Sequence, residues 1–155
     1  MDLVKSIEEH LSKIFVGINK LNNKEYGFYG EAIAKKYLKK NKYKIIAINY
    51  TQKNGEADII AIETKKSRKI RKEDYAKMSD EIRKEDVLVF VEVKSRNSLM
   101  FGVPSMAVNN KKQNKYLSIA RNFMMVNPKF QGMQYRFDII EVHEKDVMNH
   151  IINAF

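Results

Sequence analysis

Charged side chains avoid the interiors of β-strands, because burial without a partner is costly. Two acids in this sequence break that habit. Asp58 lies between Ala57 and Ile59, and Glu92 and Lys94 flank Val93 at the end of the most apolar run of the chain. Strand side chains alternate, so Glu92 and Lys94 project to one face. If the strand that carries Asp58 neighbours theirs in suitable register, two carboxylates and an ammonium converge. Two close carboxylates repel unless a cation sits between them or one takes a proton. Hard oxygen ligands suit magnesium, which keeps several waters and takes only one or two protein carboxylates. Such an ion lowers the pKa of its water and neutralises charge developing on a phosphate. Lys94 could orient that water or offset the phosphate charge. The plainer reading is an exposed strand end with a weak ion pair. Residue types alone leave both readings open. A second copy of the triplet, Glu63-Thr64-Lys65, falls where a strand gives way to a charge-dense stretch and reads as a solvated edge.

Glu31 is a further candidate. Three- and four-residue spacing places it with Gly27, Ala34 and Leu38 on one side of a helix. A carboxylate among small and apolar neighbours can face a sheet instead of water. It can equally be an acid favourably placed on the dipole near a helix start. Gly27 and Gly30 are costly inside a helix. Close approach of a backbone or a phosphate would explain them.

The elements that must position these residues follow from periodicity. Residues 3, 4, 7, 11, 14, 15 and 18 form an apolar helical stripe that ends near Asn22-Asn23. The stripe reads as core or as a subunit interface, that of a homodimer. A second helix is expected over 26–40, and strands over 44–50 and 56–62 with a hairpin turn at 51–55. In the stretch 64–86, fifteen of 23 residues are charged. It cannot own a core and is expected as an exposed insertion, partly helical after Arg71. Five consecutive apolar residues, 87–91, imply a strand covered on both faces, running to Lys94. A helix over 105–126, stopped by Asn127-Pro128, and a strand over 135–142 follow. Residues 144–153 are expected as a short terminal helix. The third and fourth strands, joined through a helix, suit a parallel crossover. The fold class is therefore α/β, a single domain with a mixed central sheet and helices on its faces.

Composition narrows the chemistry. The chain has 155 residues, no Cys, 44% apolar residues and a formal charge of +10. Without cysteine there is no disulfide, thiol nucleophile or cysteine-ligated zinc. No apolar run is long enough to span a bilayer, and the start, Met1-Asp2-Leu3-Val4-Lys5, lacks a signal-peptide pattern. The cytoplasm is the expected location. The positive excess favours a polyanionic partner, nucleic acid before an anionic membrane surface. Arg96, Lys111, Lys112 and Gln113 are the expected nucleic-acid contacts, against the reading of Lys112 and Gln113 as an exposed first turn of helix. His10, His143 and His150 show no ligand spacing. Ser95 and Ser98 have no histidine base nearby in sequence, which argues against a serine triad. No glycine-rich nucleotide loop occurs.

The pattern Gly27-x-x-Gly30-Glu31-x-x-Ala34-x-x-Tyr37-Leu38 resembles the opening of the YraN family. Gly55-Glu56-Ala57-Asp58-Ile59-Ile60-Ala61 and Leu88-Val89-Phe90-Val91-Glu92-Val93-Lys94-Ser95-Arg96 continue the match. Gly102, Pro104, Ala107-Val108, Lys112-Gln113 and Arg136-Phe137-Asp138-Ile139-Ile140 complete it in order, so the resemblance spans residues 26–142. That largely uncharacterised family is similar to archaeal Holliday-junction resolvases, and so to the PD-(D/E)xK nuclease superfamily. The resemblance implies an αβββαβ restriction-endonuclease-like core, here with an extra N-terminal helix. It implies a magnesium-dependent phosphodiester hydrolase, with manganese as substitute, acting on DNA that can be branched. By position, Glu31 is the helix acid, Asp58 the strand acid and Glu92 with Lys94 the terminal pair; Asp58 and Glu92 would hold the metal. The sequence departs from the pattern at Ala57, where the superfamily name has proline, and in the long gap between Asp58 and Glu92. Membership does not by itself establish activity. A non-catalytic nucleic-acid-binding module of the same fold is the alternative function, and a structural or interaction protein is the third.

Overall fold

A computed structural model describes residues 23–53, 55–64, 86–96 and 110–154. The expected N-terminal helix, most of the charged insertion and the first turn of the expected 105–126 helix lie outside these residues. The described elements run α1 (Asn23–Lys40), β1 (Lys44–Gln52), β2 (Gly55–Glu63), β3 (Val87–Arg96), α2 (Asn110–Val126), β4 (Gln134–His143) and β5 (Asp146–Ile151). The strands form one mixed sheet in the order β1-β2-β3-β4-β5. β1–β2, β2–β3 and β4–β5 are antiparallel, and β3–β4 is parallel with α2 as the crossover.

The apolar run of β3 explains its central position. Leu88, Val89, Phe90 and Val91 are fully buried, as a strand covered on both faces requires. On one face Ile60, Ile62, Leu88 and Phe90 pack against Tyr116, Ile119, Ala120 and Phe123 of α2. On the other, Ile59, Ala61, Val89 and Val91 pack against Ala34 and Leu38 of α1. Each helix is thus held by its own apolar stripe, with its polar side outward.

Local signals set the ends of the helices. Tyr43 N–H bonds Leu38 C=O and Lys42 N–H bonds Lys39 C=O, both at 3.0 Å. Lys42 has φ 67°, so α1 closes in a left-handed C-terminal motif built without glycine. Asn127 Nδ2 bonds the Phe123 carbonyl at 2.8 Å where α2 stops, and Pro128 opens a 3₁₀ turn. β1 and β2 pair as the expected hairpin, with strand pairing continuing to Gln52 opposite Gly55; Asn54 lies outside the described residues.

One element departs from expectation. Residues 144–153 form no helix. The chain turns at Glu144, φ 51°, and returns as β5 along β4. Pairing with β4 supplies backbone partners that a short isolated helix would lack, and Val147 packs into the cluster beneath α1. No helix among the described residues is long and apolar enough to cross a membrane.

Candidate functional site

The β2–β3 ladder runs from Glu63↔Val87 to Ile59↔Val91 and stops there. β2 remains paired with β1 as far as Gly55, and β3 remains paired with β4 as far as Arg96. The sheet therefore forks between β2 and β3. The next residues outward are Asp58 on one arm and Glu92 on the other. Across the fork, Val93 N–H donates to Asp58 Oδ2 at 2.6 Å. A carboxylate oxygen takes the place that a strand carbonyl occupies elsewhere in the ladder, so the fork is satisfied by a charged group.

Glu92 is bound on both oxygens. Lys112 Nζ donates to Oε1 at 2.6 Å, and Tyr116 O–H donates to Oε2 at 2.6 Å. Lys94 Nζ lies 3.7 Å from Oε1. Lys112 and Tyr116 are one turn apart on α2, on the side that faces the sheet. Burial alone would raise the Glu92 carboxyl. The bonds from Lys112 and Tyr116 and the charges of Lys112 and Lys94 outweigh it and hold Glu92 below the usual range. Burial and the neighbouring carboxylate push the Tyr116 hydroxyl well up.

Asp58 is treated differently by its surroundings. Burial, first, pushes it up to about 6, against the Val93 N–H, and the charges of Glu31, Glu92 and Glu56 push the same way. Among the described residues no ammonium or guanidinium pairs with it. Two adjoining carboxylates are thus driven apart in acidity, one neutralised by lysines and the other not.

Glu31 reaches this cluster from α1. Gly30 makes its approach feasible: a Cβ there would lie 1.7 Å from Ser95 Oγ and 2.9 Å from Ser95 Cβ. A close approach is present at Gly30, but what crowds it is the Ser95 side chain of β3, not the backbone or phosphate that was expected. Nothing lies within 4 Å of a Cβ at Gly27, so that glycine has no such reason. Glu31 is raised by burial, with a hydrogen bond from Asn49 opposing and the Glu56 charge adding. Asn49 sits in β1 with φ 50°, a left-handed position that asparagine tolerates better than most residues.

Glu31, Asp58, Glu92 and Lys94 are therefore neighbours, drawn together from α1, β2 and β3. Lys112 belongs to the same cluster. Lys111 is exposed and Gln113 half-buried on the first turn of α2. Arg96 ends β3, and its side chain lies outside the described ones. Sequence reasoning missed Tyr116, Glu56 and Asn49. Lys112 and Tyr116 at four-residue spacing beside an acid-bearing strand were the available signal for Tyr116. Glu56 precedes Asp58 by two residues and so shares its strand face. Nothing in the sequence singled out Asn49.

A second ionic cluster lies at the far end of β2. Arg136 pairs with Glu63, and with Asp138 Oδ1 at 2.9 Å. His150 Nε2 meets Asp138 Oδ2 at 3.0 Å, and Asn153 N–H donates to Oδ1 at 2.9 Å. Tyr43 O–H donates to Glu63 Oε1 at 3.0 Å. Glu63, read from sequence as a solvated edge, is instead only 8% exposed. The guanidinium of Arg136, arriving from β4, makes burial of its charge tolerable. His150 is half-buried, as expected of a histidine without ligand spacing.

Comparison with known proteins places these residues in a family. The sequence profile of the uncharacterised protein family UPF0102 matches residues 30–142, which takes in both arms of the fork. A UPF0102 protein of Clostridioides difficile is 41% identical over 137 residues, 87% of this chain and 100% of the relative. One of Caldanaerobacter subterraneus subsp. tengcongensis is 40% identical over 144 residues, 89% of this chain and 100% of the relative. One of Alkaliphilus oremlandii is 38% identical over 137 residues, 86% and 99% of the two chains.

Proposed function

The chain belongs to the uncharacterised protein family UPF0102, the family its YraN-like motifs pointed to, and on that footing we propose that it is a divalent-metal-dependent DNA endonuclease. The observation that carries this reading is the convergence of Asp58, Glu92 and Lys94 where β2 and β3 part. The order α1, three antiparallel strands, α2 and a parallel β4 supports an endonuclease-like core, to which β5 is an addition. The +10 charge supports a polyanionic substrate, DNA that can be branched.

The donor set suits magnesium. Among the described residues no three His, Cys, Asp or Glu side chains are placed to enclose a metal. Magnesium needs no such cage, because one or two carboxylates and several waters hold it. Asp58, crowded by carboxylates and without a cationic partner among the described residues, and Glu92 are the residues that would hold it. Bound there, the ion would supply an acidified water and charge to balance the phosphate. Lys94 carries a partly buried ammonium beside that position, placed to stabilise charge as the phosphodiester opens. Glu31, raised by burial, takes a proton more readily than a surface glutamate, which suits general-base work on the attacking water.

The test is cleavage of four-way junctions, flaps and single strands by pure protein with magnesium and with manganese. Wild type should cut, and Asp58→Asn and Glu92→Gln should each lose ~100-fold or more. Lys94→Ala should lose turnover while keeping manganese binding. Equal cutting by wild type and Asp58→Asn would assign the activity to a contaminant. A second reading, a DNA-binding module that does not cut, is favoured by the engagement of both Glu92 oxygens by protein donors. Tight junction binding with no cutting in either metal would establish it.

A further inference from the structure

The two acids of the fork are unequally served. Glu92 has an ammonium 2.6 Å from Oε1, while among the described residues no cation pairs with Asp58. The two groups on Glu92 also differ in burial. Tyr116 is only 6% exposed and packed in the α2 core. The side chain of Lys112 is 36% exposed and stands on the first turn of α2, on a flexible four-carbon stem. It can leave Oε1 without moving the helix, whereas Tyr116 cannot leave Oε2 without opening the core. Oε1 already has two ammoniums around it, Lys112 Nζ at 2.6 Å and Lys94 Nζ at 3.7 Å, so a divalent cation there presses like charges together unless the nearer one withdraws.

We propose that Lys112 is a built-in counter-ion for Glu92, released to the DNA phosphate when a divalent cation is taken up at the fork. The inference rests on the endonuclease reading and concerns the regulation of that same site. Lys112 is the nearer of the two ammoniums that neutralise Glu92, Lys94 being the farther. Once displaced from Oε1, its ammonium would meet a phosphate approaching on the α2 side. A phosphate that draws Lys112 away leaves Oε1 with only the more distant Lys94, so cation and DNA each favour binding of the other. Such coupling is reciprocal, because linkage allows no other result. Tyr116 stays on Oε2 in both arrangements and acts as a positioning residue, fixing the rotamer in which Glu92 presents Oε1.

The sign of one measurement separates this role from a merely structural one. Removing a structural support weakens metal binding, whereas removing a competing cation tightens it. The test uses full-length protein, with Mn²⁺ alone titrated by electron paramagnetic resonance of the free ion. Lys112→Met, and independently Lys112→Gln, should bind Mn²⁺ about 5-fold more tightly than wild type, at the low end of typical couplings between sites. Tyr116→Phe, which keeps Lys112, should not tighten it. Junction binding by fluorescence anisotropy, with Ca²⁺ added or withheld, gives the coupling. Wild type should bind the junction ~5-fold or more tightly with the cation, and Lys112→Met should show a ratio near one. Mn²⁺ affinity unchanged or weakened in both Lys112 variants, with Glu92→Gln still abolishing it, would overturn the counter-ion role and leave the metal site standing. Mn²⁺ affinity unaffected by Glu92→Gln would overturn both.

Discussion

Asp58 shows at the scale of one residue how a site is set against stability. Its carboxyl is raised from 3.8 to about 6, chiefly by burial and then by the carboxylates around it. A group whose folded pKa exceeds its unfolded value contributes stability that is complete below the unfolded value. That stability is lost as pH rises through the folded value. For Asp58 the window is pH 4 to 7, and the loss is about 3 kcal/mol at ~1.4 kcal/mol per unit. The amide of Asp58→Asn can still accept the Val93 N–H but carries no charge. In EDTA at pH 8 the variant should therefore be more stable than wild type by ~1–3 kcal/mol, with the gap closing by pH 4. Urea unfolding at the two pH values measures it, and an equal or lower midpoint for the variant at pH 8 would refute the account. Asp138 behaves oppositely. Burial alone would raise it, but His150, Arg136 and the Asn153 N–H hold it below the usual range. Its contribution is present above the ordinary aspartate pKa and lost as pH falls below it.

At the scale of elements, the contact between α1 and β3 places Glu31. Two glycines a turn apart on α1 make a matched test. At Gly27 an added methyl meets nothing within 4 Å, and Gly27→Ala should stabilise the helix by ~0.5–1 kcal/mol. At Gly30 the same methyl meets Ser95 at its Cβ, which the backbone of β3 anchors. Gly30→Ala should destabilise by ~1–3 kcal/mol despite better helix propensity, as overpacking does. Adding Ser95→Gly should recover much of that loss, since the clash requires both side chains. Thermal melts of the four proteins check the signs. A stabilising Gly30→Ala would mean that α1 stands farther from β3.

The molecule as a whole carries ten more basic than acidic charges, and Lys111 stands exposed on the first turn of α2. Contacts of this kind to phosphate release counterions, so affinity for DNA should fall linearly in log–log form as salt rises. A loss of ~10-fold or more between about 50 and 200 mM salt, with little dependence on base sequence, is expected. Anisotropy titrations on junction and duplex measure it. Binding that stayed flat with salt would rule out a footprint made chiefly of phosphate contacts.

Period and punctuation in the sequence were enough to locate α1, the β1–β2 hairpin, the buried β3, the stop of α2 at Pro128 and the parallel β4. These depend on local propensity and on which residues must leave water, and both are written in the chain itself. Asp58, Glu92 and Lys94 were legible as candidates because charge inside an apolar strand is costly wherever it occurs, and Glu31 because it stands among glycines that are themselves costly in a helix. The tertiary structure decided what the sequence left open. Within 144–153, residues 146–151 became a strand because β4 offered them an edge, a condition no local pattern records. Glu63 was buried because Arg136, distant in sequence, arrived to pair with it. Lys112 and Tyr116 came to hold Glu92 because α2 crosses the face on which Glu92 stands. The fork arose because β2 and β3 each follow their outer neighbour past Ile59 and Val91. Each of these outcomes depends on the register of partners far apart in the chain, and register is settled only when the strands meet.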